Sequence, residues 1–418
     1  MLNFKSFLKE ETLLTEKALS SAVDSDDKGK LHEILLSKHL HPETKLPAHH
    51  RAESENDDHA GTPEQVHKKL KDKIGDAAYN EIDSHAKSTA KALHDHLVQQ
   101  GHIKPGHKIG NVYWTSNADT PNKPGDHEKT VKDANGKGIK DVNSNADLIA
   151  EIHDKNGKVV GYHGISAKYG TNKQPNYRNP GLDSLEKTAN IPAGSLNSHL
   201  KVHASAMEKI GYAGSAEDRH AQYKADSMGI DKVRAEHARL SGLLSFGRKL
   251  PAKQKNTHKH FEMFINAHDK HKSPDEFLQM AASRAKSAEE GALIAKRAIA
   301  KKFADGLAKH NDAKLREIVN QHVSAPTKIP HTVAHSHVQD DGSSKPVVKP
   351  ADKIANEHLD NFENLHVVHN GGIAVNIKGY HKTLKNKDGT PKLMNVATMT
   401  MKGSSGPHKG ANGTFTLG

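Results

Sequence analysis

The sequence predicts an α+β fold with an α/β core, and three local patterns support this prediction. Apolar residues recur at helical spacing through residues 62–101 and again through 182–323. Between these stretches, residues 146–167 have the pattern of two strands joined by an Asn-Gly turn, a strong hairpin signal. Apolar and polar residues alternate once more between Leu365 and Leu417, which predicts a β-rich C-terminal segment.

The first predicted elements are helices. Lys30–Leu40 (KLHEILLSKHL) is a compact apolar stretch that carries Glu33. A second helix begins at Thr62-Pro63, because threonine is a good N-cap and proline is favoured in the first helical turn. Its apolar spacing continues to Gly101, with a break near Gly75.

The apolar spacing then changes to that of strands. Ile109–Thr115 predicts a strand, and residues 117–145 predict a polar loop. The hairpin consists of Ala146–His153, a turn at Asp154–Lys158 and the return strand Val159–Ala167.

The remaining chain is predicted to be helical to about residue 323, with breaks near Gly211–Gly214, Gly247–Pro251 and His271–Ser273. Four prolines then indicate a linker: Pro326, Pro330, Pro346 and Pro350. We therefore divide the chain into an N-terminal peptide (1–20), a core (28–180), a helical region (181–325), a linker (326–355) and a β-rich segment (356–418). One hypothesis is that the β-rich segment packs on the core sheet.

Composition limits the classes of protein to which the chain can belong. Hydrophobic residues make up 34% and aromatic residues 4%, so the core is thin and long polar connections are expected. No run approaches the roughly 18 apolar residues of a membrane span, so we expect a soluble protein without a membrane partner or a standard export signal. Cysteine is absent, which excludes disulfides, thiolate metal sites and cysteine nucleophiles and fits a reducing compartment.

The charge of the chain favours a polyanionic partner. The net charge of +11 suits nucleic acid, although a merely basic soluble protein has the same property. The 33 histidines follow no repeated spacing, and we expect most of them to be solvated surface residues. Their protonation should raise the charge steeply below about pH 6.5.

The predicted hairpin places a carboxylate and an amine at one end of the sheet. Asp147 begins one strand, and Lys168 follows the end of its partner. Because the strands are antiparallel, the two positions can approach to about 5 Å across the ladder. Phosphodiester cleavage needs such a combination of oxygen ligands for a divalent cation and a nearby positive charge.

This arrangement resembles the PD-(D/E)XK nuclease superfamily, whose hairpin carries an Asp and then Glu-x-Lys, with a further Glu on the first helix. The matching positions are Asp147, Lys168 and Glu33, and Ser166 stands where the motif has Glu. The resemblance implies a mixed sheet flanked by helices, Mg²⁺ or Mn²⁺ as cofactor, and catalytic roles for Glu33, Asp147, Ser166 and Lys168. It implies Glu33 and Asp147 as metal ligands. We expect either Glu33 or Glu151, which has the same strand parity as Asp147, to compensate for the missing Glu.

A basic, amide-rich loop follows Lys168. In the resemblance it would lie beside the substrate channel, and we expect DNA contacts from Tyr169, Asn172, Lys173 and Arg178. The alternative interpretation of this segment is a plain polar loop. The alternative interpretation of the predicted hairpin is a solvated hairpin that carries no chemistry.

The N-terminal stretch MLNFKSFLKEE resembles the capsid-targeting peptides of internal head proteins of large tailed phages. Those peptides are removed by a protease that cuts after Leu/Ile-x-Glu, which here implies cleavage after Glu10 or Glu16. The resemblance implies a phage capsid or scaffold as partner, and a location in the virion head and then in the host cytoplasm. A simple N-terminal helix that packs on its own domain is the alternative.

Three functions follow from these observations. The first is a virion-associated, metal-dependent DNA endonuclease. The second is a DNA-binding internal head protein that keeps a degenerate nuclease fold, which the serine at position 166 favours. The third is an injected protein that acts on a host target.

Overall fold

The fold is α+β, as predicted, and the described strands form two sheets. The computed structural model describes residues 25–41, 43, 46, 63–114, 146–172, 175, 177, 179–245, 250, 252–324, 329–403 and 411–418. The helices in these ranges are α1 Ser25–Leu40, α2 Pro63–Ile74, α3 Asp76–Gln99, α4 Leu182–Thr188, α5 Asn197–Lys209, α6 Ala216–Met228, α7 Ile230–Ser245, α8 Ala252–Lys270, α9 Pro274–Leu307, α10 Asp312–Ser324 and α11 Ala351–Leu359. The strands are β1 Lys108–Trp114, β2 Leu148–His153, β3 Val159–Gly170, β4 His331–Val338, β5 Ser344–Pro350, β6 Phe362–Val368, β7 Ala374–Lys385, β8 Pro391–Gly403 and β9 Ala411–Leu417.

The chain divides into two compact units. Unit 1 comprises the described residues up to Pro175 together with Val323–Glu357. Unit 2 comprises Asn176–His322 and His358–Gly418. The helical region is therefore inserted between two segments of unit 1.

Unit 1 is built on a five-stranded mixed sheet with the order β1-β2-β3-β4-β5. Neighbouring strands are antiparallel except β3 and β4, which run parallel with Lys168 opposite His335. Parallel neighbours need a long crossover connection, and here the inserted region provides it.

One face of this sheet is covered by helices α1 and α3. In α1, Leu31, Ile34 and Leu35 are fully buried, and α3 buries residues three or four apart, such as Leu93 and Leu97. The sheet contributes alternate residues to the same core: Leu148, Ala150 and Ile152 from β2, Ile165 and Ala167 from β3, and Ala334 from β4. Since side chains alternate across a strand, the intervening residues point to the other face.

The predicted hairpin is confirmed. Its turn is closed by Asp154, whose Oδ1 accepts hydrogen bonds from the backbone of Asn156 (2.8 Å) and Lys158 (3.0 Å). Gly157 has φ 80°, a left-handed conformation that glycine adopts without steric cost. The break at Gly75 is also confirmed, because α2 ends at Ile74 and α3 begins at Asp76 with Gly75 at φ 84°.

The linker predicted over 326–355 is wrong. This stretch contains β4, β5 and the first turn of α11. The prolines mislead because β5 is an edge strand: Pro346 and Pro350 lie opposite Ser336 and Thr332 of β4, and an edge strand has one side that needs no hydrogen-bond partner. The predicted core range, 28–180, therefore omits β4 and β5, two of the five strands of the observed sheet.

Unit 2 contains the predicted helices and a separate sheet. The helices end where breaks were predicted, before Gly211–Gly214, Gly247–Pro251 and His271–Ser273. Phe261, Phe264 and Val233 form one apolar cluster between them.

The C-terminal strands pair with one another in the antiparallel order β6-β7-β8-β9, as a sheet distinct from that of unit 1. None of the described helices is both long enough and apolar enough to cross a membrane.

Candidate active site

Asp147 and Lys168 meet at one end of the β2–β3 hairpin. Lys168 Nζ donates a hydrogen bond to Asp147 Oδ2 at 3.2 Å, and both side chains keep partial access to solvent, 18% and 22% exposed. Asp147 lies here because its backbone N–H donates to the carbonyl of Ile165 (2.8 Å) and so extends the β2–β3 ladder. The predicted contact between the carboxylate and the amine is present.

Ser166 completes this end of the hairpin. It lies two residues before Lys168 and therefore on the same face of β3. Its hydroxyl donates to Asp147 Oδ2 at 3.3 Å, and the residue is 2% exposed. A serine here orients the Asp147 carboxylate and adds no negative charge.

Glu33 approaches the site from helix α1. Its Oε2 accepts a hydrogen bond from the indole Nε1 of Trp114 at 2.7 Å, and Lys30 Nζ contacts both of its carboxylate oxygens, at 2.9 and 3.0 Å. Trp114 pairs with Leu148, the residue that follows Asp147. The helix thus brings its carboxylate to the end of the sheet where Asp147 lies.

The environment of Glu33 opposes its ionisation. Burial raises the pKa of the Glu33 carboxyl, and the negative charge of Asp147 raises it further, while Lys30 and the Trp114 hydrogen bond lower it. The net shift is upward. A buried carboxyl whose pKa is raised beside a second acidic side chain is an environment that a divalent cation relieves.

His331 is a member of the site that the sequence did not predict. It opens β4 opposite Gly164 of β3, and it is 9% exposed. Neither ring nitrogen has a hydrogen-bond partner among the described residues. Burial lowers the pKa of His331 to about 4, with Asp147 acting to raise it and Lys168 to lower it. The imidazole is therefore neutral at pH 7 beside the Asp147–Lys168 pair.

His335 lies four residues after His331 on the same face of β4, opposite Lys168. Burial lowers its pKa to about 4, the charges of His337 and Lys168 act in the same direction, and a backbone hydrogen bond to Gly170 acts to raise it. Because His331 and His335 fall in the stretch taken for a linker, the sequence interpretation missed both. The alternation in HTVAHSHV, with β-branched residues at Thr332 and Val333, is the strand signal that would have found them.

Glu151 does not join this group, so its predicted role as a replacement metal ligand is wrong. It shares the face of Asp147 but lies four residues further along the strand, about 14 Å at roughly 3.4 Å per residue. Its Oε1 accepts a hydrogen bond from Tyr113 (2.7 Å), and its Oε2 contacts Asn111 (3.2 Å) and His153 (2.8 Å). The carboxylate is occupied by these local partners.

Tyr169 also lies away from the site. It packs with the core under α1 and α3, its ring 5.1 Å from that of His32, and its hydroxyl is 3.3 Å from His85 Nδ1. Burial raises its pKa. The predicted stacking of this tyrosine on DNA is wrong, because odd-numbered residues of β3 at this end face the helices.

The remaining predicted DNA contacts are those of Asn172, Lys173 and Arg178. Asn172 is exposed just beyond β3, and its contact with DNA stays a prediction. Lys173 and Arg178 lie outside the described residues, as do the N-terminal peptide and its two predicted cleavage positions, Glu10 and Glu16.

No protein-family model matches the sequence, and no curated protein matches it. Among solved structures, a crystal structure of the restriction endonuclease MspI in complex with its cognate DNA is similar over 81% of this chain and 82% of that chain, with 9% sequence identity and a TM-score of 0.28. Because a likeness of this size carries no argument, the function is argued from the geometry of the site.

Proposed function

We propose that unit 1 is a divalent-metal-dependent phosphodiesterase that acts on DNA, with Asp147, Ser166, Lys168 and Glu33 as its site. The observation that carries this proposal is the 3.2 Å contact between Lys168 Nζ and Asp147 Oδ2 at the shared end of β2 and β3. The resemblance of these positions to the PD-(D/E)XK motif supports it. The net charge of +11 supports a polyanionic substrate.

The residues fit a hard divalent cation. Ser166 and Lys168 both contact Oδ2 of Asp147, which leaves its Oδ1 for an ion. Glu33 adds a second carboxylate that interacts electrostatically with Asp147. Carboxylate and hydroxyl oxygens are the donors that Mg²⁺ and Mn²⁺ prefer.

Each residue has a role that follows from its position. A bound ion would supply Lewis-acid stabilisation and acidify its water. Lys168 places a fixed positive charge beside the Asp147 carboxylate, where negative charge on a phosphoryl group would develop. Ser166 holds Asp147 in orientation, and the neutral His331 offers a ring nitrogen that can accept a hydrogen bond from water.

Cleavage of supercoiled plasmid DNA with Mg²⁺, Mn²⁺ or EDTA tests the proposal. We expect nicking with either metal and none with EDTA. Asp147→Asn keeps the shape of the side chain but removes the ligand charge, so we expect a rate loss of about 100-fold or more. Asp154→Asn, in the exposed turn of the same hairpin, is the matched control and should cleave at the wild-type rate.

Two results would contradict the assignment. Full activity in Asp147→Asn would show that the nuclease site lies elsewhere. Salt-sensitive DNA binding without cleavage in either metal would favour the second candidate, a DNA-binding protein with a degenerate site, which the absence of a carboxylate at Ser166 supports.

We further propose that the protein acts inside a phage head, on the strength of the resemblance of residues 1–20 to capsid-targeting peptides. Mass spectrometry of the protein from assembled particles tests this. We expect an N-terminus at Glu11 or Lys17, because cleavage would follow Glu10 or Glu16. Particles that contain the chain with Met1 intact would contradict the proposed processing.

A further inference from the structure

Helices α7 and α8 of unit 2 bring two histidines and a glutamate together. His237 lies on α7, and His258 and Glu262 lie four residues apart on α8, which places them on one face of that helix. One potential ligand atom from each of the three lies within 4.8 Å of the other two. The helices are antiparallel, since Arg234 pairs with Asp269 and Ser241 with His258.

The imidazole of His237 has an unused nitrogen. Its Nε2 is buried and has no hydrogen-bond partner among the described residues. A buried polar atom without a hydrogen-bond partner costs free energy, so we expect a further group to bind this nitrogen. Among the described histidines and acidic residues, His258 and Glu262 offer ligand atoms near enough to share such a partner.

The second imidazole is held in position. The rings of His237 and His258 lie 4.4 Å apart between centroids and are inclined by 20°. Ser241 lies one turn after His237 on α7, and its hydroxyl is 2.9 Å from His258 Nε2. This contact limits rotation of the His258 ring.

We propose that His237, His258 and Glu262 bind a zinc-type transition-metal ion that links α7 to α8. Two imidazole nitrogens and one carboxylate oxygen are a donor set that Zn²⁺ accepts, whereas Mg²⁺ and Ca²⁺ prefer oxygen ligands alone. Three protein ligands leave a fourth tetrahedral position for water or an external ligand. The site lies in unit 2 and is independent of the function proposed for unit 1.

Zinc titration of the full chain after removal of metal with EDTA tests this site. With 33 histidines, the chain will bind additional ions weakly, so the difference between variants is decisive. We expect one tight Zn²⁺ per wild-type chain, and His237→Asn or Glu262→Gln should weaken it about tenfold or more. His268→Asn, on α8 outside the cluster, should bind as the wild type does. Because the Glu262 side chain is exposed, Glu262→Gln should fold normally.

A second measurement identifies the ligands directly. Wild type loaded with Co²⁺ should show the visible absorption of a four-coordinate site, and this absorption should be lost in His237→Asn. His237→Cys should retain the ion and add a sulfur-to-cobalt absorption, since the wild-type chain has no cysteine. Equal zinc stoichiometry and affinity in wild type, His237→Asn and Glu262→Gln would overturn the proposal and leave only adventitious histidine binding.

Discussion

Acidification from pH 7 to pH 4 is expected to unfold unit 1. Four of its buried histidines have strongly lowered pKa values, and burial is the main cause that lowers the pKa of His32 and His163 to about 3 and that of His331 and His335 to about 4. In the unfolded chain these groups titrate near the ordinary value of 6.5. Their depressed pKa values stabilise the folded state above about pH 6.5, and this stabilisation is lost as the pH falls towards 4.

The expected effect is large compared with the stability of a typical domain. Four protons taken up on unfolding change the free energy of unfolding by about 5 kcal/mol per pH unit near pH 5. Glu33, with its raised pKa, acts in the opposite direction and offsets up to one of these protons. Since domains are stable by about 5–15 kcal/mol, one to three pH units suffice for unfolding.

Trp114 provides the measurement. It is the single tryptophan of the chain and is 1% exposed in unit 1, so its fluorescence follows this unit alone. His163→Asn should reduce the pH dependence of the free energy of unfolding by about one proton, or about 1.4 kcal/mol per pH unit. The exposed His94→Asn is the control and should leave it unchanged. Native Trp114 fluorescence that persists to pH 3.5 would contradict the prediction.

Lys168→Ala is expected to reduce the rate of DNA cleavage by about 100- to 1000-fold, the usual cost of removing one group that stabilises transition-state charge. The loss should fall on kcat, because the amine acts where charge develops and contributes one of many phosphate contacts to binding. Single-turnover cleavage with Mg²⁺ measures it. Lys158→Ala, in the exposed turn of the same hairpin, should cleave normally.

The variant also tests the role of the Asp147–Lys168 contact. Removal of the amine leaves the Asp147 carboxylate with the Ser166 hydroxyl as its hydrogen-bond partner among the described side chains. If the contact served only to stabilise the fold, Lys168→Ala would lower thermal stability and cleave at the wild-type rate when folded. That outcome would remove Lys168 from the proposed site.

Local patterns predicted the parts of the site that depend on neighbouring residues. The Asn-Gly turn and the alternation on either side of it determine the hairpin register, and this register brings Asp147 to Lys168. The capping signal at Thr62-Pro63 and the glycine at Gly75 likewise predicted helix boundaries because capping and positive φ are local properties.

Other parts depend on contacts that no local pattern contains. The parallel pairing of β3 with β4 joins residues on either side of the inserted segment 176–322, and so His331 and His335 could not be placed beside Lys168 from spacing alone. Strand parity correctly predicted the face of the sheet on which Glu151 lies. It did not predict the distance between Glu151 and Asp147 or the hydrogen bond that Glu151 accepts from Tyr113. The expectation of solvated histidines does not hold for a buried minority of them, and His32 and His163 lie in the interior of unit 1.

The insertion of residues 176–322 between β3 and β4 sets an order of assembly during synthesis. A ribosome that has completed β3 must add residues 171–330 before β4 exists. Until then, the hairpin that carries Asp147 and Lys168 has an open strand edge, and such edges pair readily with other chains. A fragment that stops before His331 would retain this open edge permanently, so the smallest piece suited to expression of the site extends through β5.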